Sequence, residues 1–173
     1  MNPRRPGDSE QTVMLPDRIN DVAVEFDPGV NRQVRQSLVD LLAAAVHPRV
    51  APEFTLATVF ISSAADRHQL PSRHAMGRAV DISRVNRKRL AIFYPGDPEV
   101  RGIVDSLILS LRICGPTFVA REIFGPGPPP HGVKLKLGQP WLRVKDHLDH
   151  IHLSEGDREA IIGCPWDNRR QES

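Results

Sequence analysis

The sequence predicts an α+β fold, one domain that mixes helices with antiparallel strands. Three observations point there. Two stretches repeat apolar residues with the helical period, several short runs are β-branched and apolar, and neither an internal repeat nor a linker divides the 173 residues. That length suits a single domain with a real core. We expect a loose polar segment over 1–12, the folded domain over 13–165 and a tail over 166–173.

In chain order, the first element is a helix predicted over "DPGVNRQVRQSLVDLLAAAVHPRV". Asp27 can cap it, Pro28 suits its first turn, and Val30, Val34, Leu38, Leu41, Leu42 and Ala45 fall on one stripe. "TLATVFISS", Thr55 to Ser63, reads as a strand, and so does "GRAVDIS". The clearest helix is "DPEVRGIVDSLILSLRICGP". Asp97 caps it, Pro98 and Glu99 open it, and Gly115 with Pro116 stops it. Val100, Ile103, Val104, Leu107, Ile108 and Leu111 make its core face. "TFVAREIF" reads as a strand. "GPGPPPHGVKLKLGQPW" holds too many prolines for a central strand and reads as a long loop, either a binding loop or disordered. "DHIHLS" reads as a short strand.

Composition excludes several functions. A net charge of +2 is too weak to imply nucleic acid, and "SRVNRKRL", with Arg84, Arg87, Lys88 and Arg89, reads as a solvated basic edge. No stretch approaches the ~20 apolar residues of a membrane span. The N-terminal arginines have no apolar run behind them, so no signal peptide is expected, and the chain reads as cytoplasmic until released or exported. Cys114 and Cys164 make no metal pattern and read as thiols, because a disulfide needs an oxidising compartment that nothing here advertises.

Two stretches carry chemistry. In "SRHAMGRAVDIS", His74 and Asp81 are an odd number of positions apart and converge only if the chain turns, which Gly77 permits. Beyond the turn, Ala79, Asp81 and Ser83 share a face while Val80 and Ile82 point to the core. A buried carboxylate needs a partner or a cation, and His with Asp suits a divalent metal such as zinc. In "DHLDHIHLS", His150 and His152 look to one side of a strand with Ile151 facing the core. One or both would complete a site of the catalytic zinc kind. A spare imidazole can donate to an oxyanion. Asp149 can accept a proton, with Asp146 and His147 as rivals.

"SRHAMGRAVD" matches S-x-H-x-x-G-x-A-x-D at Ser72, His74, Gly77, Ala79 and Asp81, the signature of the D-Ala-D-Ala metallopeptidases. These share a zinc fold with murein endopeptidases, lysostaphin-type enzymes and hedgehog domains. "DHIH" resembles their second motif, and "HLDHIH" is similar to the penicillin-insensitive murein endopeptidases. The resemblance implies a small antiparallel sheet carrying the ligands, with helices packed outside. It implies one zinc held by His74, Asp81 and His152, Asp149 as general base and His150 as transition-state stabiliser. Relatives keep an arginine upstream to polarise the scissile carbonyl, for which Arg67 is the nearest candidate. Many also have glutamate where Asp149 stands. The implied activity is hydrolysis of peptidoglycan stem peptides or cross-links, as in an endolysin. The alternative is a hedgehog-like zinc module without catalysis.

Overall fold

The computed structural model describes residues 11–66, 69–127 and 131–156. The elements are β1 (Thr12–Met14), β2 (Arg18–Ile19), β3 (Val22–Phe26), β4 (Gln33–Arg35), α1 (Gln36–Ala45), β5 (Thr58–Ser63), β6 (Ala79–Val85), β7 (Lys88–Arg89), α2 (Leu90–Phe93), α3 (Pro98–Ser110), β8 (Ala120–Pro126), β9 (Gly132–Lys136), β10 (Leu142–Val144) and β11 (Ile151–Glu155). β1 and β4 form a two-stranded ribbon. The remaining strands form one nine-stranded sheet in the order β10-β9-β8-β11-β6-β5-β3-β2, with β7 folded back on β6. Its pairs are antiparallel except β3 with β5. This is an α+β fold with few helices, and strands β6 and β11, which carry Asp81 and His152, sit side by side within the sheet.

Strand periodicity separates core from site. In β6, Val80 and Ile82 are fully buried, as are Ile151 and Leu153 in β11 and Ile123 in β8. Cross-strand register stacks them, with Leu153 opposite both Val80 and Ile123 and Ile151 opposite Ile82. They join one core cluster with Leu38, Leu41 and Leu42 of α1 and Ile103, Val104 and Leu107 of α3. The intervening positions of the same strands point to the other face of the sheet.

Helix α3 follows its sequence signals. The Asp97 side chain accepts from Val100 N at 3.1 Å, Pro98 opens the first turn, and Val100, Ile103, Val104, Leu107 and Ile108 are buried. Three cations of the basic run have partners. Lys88 Nζ lies 2.8 Å from Asp97 and 2.7 Å from Glu99, Arg87 pairs with Glu25 at 3.1 Å, and the Arg84 guanidinium sits 4.2 Å over the Phe60 ring. Asn86 and Arg87 take φ of 48° and 63°, which makes the tight β6–β7 turn.

Four expectations need correction. The helix predicted from Asp27 begins at Gln36. Asp27 Oδ1 accepts from Gly29 N at 3.3 Å and Asn31 Oδ1 from Gln33 N at 3.1 Å, so these side chains serve local turns. Val34 is buried as expected, but in β4 opposite Val13. The same pairing puts Thr12 in β1, so the loose segment cannot reach residue 12; residues 1–10 lie outside the described residues. The supposed loop before Trp141 contains β9, which pairs with β8 on one side and β10 on the other. Pro126 ends β8 and Pro140 follows β9, so the described prolines bracket the "GVKLK" strand and cost it no ladder bond. Finally, Cys114 is disulfide-bonded, where a thiol was expected. Cys164 and the tail lie outside the described residues.

Candidate metal centre

The two motifs meet. Asp81 on β6 and His152 on β11 are directly opposite in register. His74 precedes β6, and the chain reverses between them at Gly77, with φ of +64°. A Cβ there would stand 3.1 Å from the Gln33 carbonyl oxygen and 3.3 Å from Val34 Cα, and the Gly77 carbonyl accepts from Arg35 N at 2.9 Å. The turn is thus both left-handed and pressed against β4, two reasons for glycine.

Three donor atoms converge. His152 Nδ1 lies 2.9 Å from Asp81 Oδ1, His74 Nε2 lies 3.4 Å from the same oxygen, and the two nitrogens are 3.3 Å apart. Ligand bonds of about 2.0–2.1 Å at tetrahedral angles give edges of roughly 3.3 Å. The three separations therefore match one face of such a tetrahedron, and this His-His-Asp group can hold a metal ion.

Neighbouring groups aim the ligands. His74 is buried, and its Nδ1 donates to the Ala64 carbonyl at 2.8 Å. A carbonyl can only accept, so Nδ1 carries the proton and Nε2 presents its lone pair to the other donors. The far nitrogen of His152, Nε2, faces Glu122 Oε2 at 3.6 Å. Glu122 is itself held by Lys136 Nζ at 3.3 Å and by Ser154 Oγ at 3.2 Å. This is the arrangement of a metal-binding imidazole backed by a carboxylate. Phe124 stacks on His152, ring centroids 5.2 Å apart and planes 25° from parallel.

Charge is balanced within the group. Burial opposes ionisation of Asp81, but the hydrogen bond from His152 and the adjacent His74 imidazole hold its carboxyl well below the usual range. Burial would likewise discharge His152, yet its contacts with Asp81 and Glu122 raise it to about 9. His152 and Lys136 bring Glu122 down to about 2 against the effect of its burial. Two carboxylates around one imidazole make a place for positive charge.

The remaining candidates form a second layer. His150 Nε2 lies 3.8 Å from Asp81 Oδ1, at the border of the donor group, and His150 Nδ1 is 2.7 Å from Asp149 Oδ1. Asp149 therefore reaches the centre through the His150 ring. His147 is 3.0 Å from Asp146, its ring 5.2 Å from that of His150 and 4.9 Å from Phe124. It takes a left-handed φ of 59°, where the chain bends between β10 and β11. Arg67 lies outside the described residues. Sequence reading missed Glu122 and Phe124. Their only signal was a spacing of two on a strand, which shares a face without saying which one. No family model matches the chain, and no curated protein or solved structure matches it either.

Proposed function

We propose that the chain is a zinc peptidase of the D-Ala-D-Ala metallopeptidase type, hydrolysing peptide bonds in the stem peptides or cross-links of peptidoglycan. The observation that carries this reading is the convergence of His74, Asp81 and His152 at tetrahedral edge lengths from two motifs far apart in sequence. Two imidazoles and a carboxylate suit zinc, and three protein donors leave a position for chemistry. Zinc bound there supplies Lewis acidity to the scissile carbonyl and to water at neutral pH.

The protein's own groups do the rest. The Ala64 carbonyl and Glu122 hold the two imidazoles in ligand orientation. Asp149 holds the His150 ring through Nδ1, which leaves Nε2 to exchange a proton with the reacting groups or to donate to a developing oxyanion. We assign proton transfer to this pair, with Asp149 acting through or beside His150. The Cys114 disulfide supports work in an oxidising compartment, such as those where peptidoglycan lies.

The test is incubation with purified peptidoglycan, with and without chelator, and mass spectrometry of what is released. Chelator-sensitive release of stem-peptide fragments is expected. His150→Ala should keep its metal and lose about 10²–10³ in kcat. Protein that holds zinc but releases nothing would be a binding module of the hedgehog-like kind.

A further inference from the structure

The row of side chains that builds the centre does not stop at His152. Asp81 is opposite His152, His152 opposite Phe124, and Phe124 opposite Lys134, across β6, β11, β8 and β9. Residues in such register share a face of the sheet. Lys134 therefore stands on the ligand face two strands from His152, about 10 Å away at the ordinary ~4.8 Å strand spacing.

Its ammonium is held there. Lys134 Nζ lies 4.8 Å from the centroid of the Phe124 ring, the ring that stacks on His152. A half-exposed contact of this kind is weak, enough to bias the side chain toward the Phe124 ring and too little to cancel its charge. The next cation on that face, Lys136, differs, because its Nζ lies against Glu122 at 3.3 Å. Asp146, an acid that feels Lys134, lies 3.0 Å from His147. One ammonium thus lies over the ring that stacks on His152, while Glu122 is held by Lys136 and faces His152.

We propose that Lys134 is an anion subsite that receives a carboxylate of the peptide substrate, with the Phe124 ring as its floor. An extended peptide advances about 3.3 Å per residue, so that carboxylate falls within about three residues of the scissile bond. This rests on the peptidase reading of the same centre and narrows its substrate to peptides with a free acid near the cleaved bond, not amidated ones.

The probe is the synthetic stem pentapeptide L-Ala-γ-D-Glu-L-Lys-D-Ala-D-Ala, compared with its analogue in which both free carboxyls are amides. Steady-state rates on the zinc-loaded full chain give kcat and KM, and titration calorimetry on the chelated chain gives binding without turnover. Wild type should prefer the acid in both measurements. Lys134→Met should weaken binding of the acid and raise its KM by about tenfold, leave the amide unchanged and keep one zinc per chain. Lys134→Arg should restore most of the preference. Equal binding of acid and amide by wild type overturns the subsite while leaving the peptidase reading intact, as does an equal loss for both peptides in Lys134→Met. Neither binding nor cleavage of either peptide removes the proposed substrate and the subsite together.

Discussion

The two faces of β6, β8 and β11 are built from alternate residues of the same strands, yet they answer to different physics. On one face Val80, Ile82, Ile123, Ile151 and Leu153 are fully buried and join the core with α1 and α3. Their contribution is non-directional and scales with apolar area. On the other face Asp81, His152, Glu122 and Phe124 depend on separations of a few tenths of an ångström and on charge balance. The difference teaches that the core and the candidate metal centre are one residue apart, so substitutions should separate them cleanly.

The largest effect should come from the ligand face. Asp81→Ala removes one of three donors and leaves His152 without its closest partner. Bound zinc should fall to a small fraction of an equivalent and activity by at least about 10³, while the metal-free form still unfolds cooperatively. Metal analysis beside thermal unfolding checks this, and full zinc retention would put the ion elsewhere. Next in size is the opposite face. Leu153→Ala should cost about 2–5 kcal/mol in denaturant unfolding, while the folded fraction still binds one zinc. Stoichiometric metal loss in that variant would break the separation between the faces.

A smaller change sharpens the comparison within the ligand face. Glu122→Gln keeps shape but removes the charge behind His152, and zinc affinity should weaken by about 10–100-fold in chelator competition. An unchanged affinity would make Glu122 a mere neighbour. The effect that is smallest at each step is graded with pH. His152 is raised to about 9 in the metal-free protein, from an ordinary value of 6.5. A raised value means that its stabilising contribution is fully present below pH 6.5 and is lost as pH rises through about 9. The metal-free protein should therefore lose stability across that window. Zinc bound through His152 would have to displace the same proton, so its apparent affinity should climb by up to about tenfold per pH unit there. A pH-independent affinity would mean that His152 does not ligate.

Much of this was legible in the sequence where the signal is local or a spacing is unusual. Asp97, Pro98 and the apolar stripe of α3 are such signals, because capping and helical period are properties of neighbouring residues. His74, Gly77 and Asp81 are another, because the odd spacing demands a turn, glycine permits one, and the turn is there. What failed depended on partners far along the chain. Val34 is buried in either a helix or a strand, and only the pairing of β4 with β1 decides between them. β9 was hidden by its flanking prolines, though Val133 and Leu135 alternate with Lys134 and Lys136 inside it. Glu122 carried no signal of its own, since its role exists only once β8 lies beside β11.

The cross-strand row also says which kind of genetic change this protein can survive. Point substitutions act on one face at a time, but an added or deleted residue within Ile151–Glu155 acts on both. A shift of one position in β11 would set Ile151 or Leu153 opposite Asp81 and turn the imidazole of His152 toward α1 and α3. Residue count in that short strand is therefore under tighter constraint than the identity of most of its members. Length variation should instead collect at bends such as Gly138, where φ is +73° and nothing crowds the backbone.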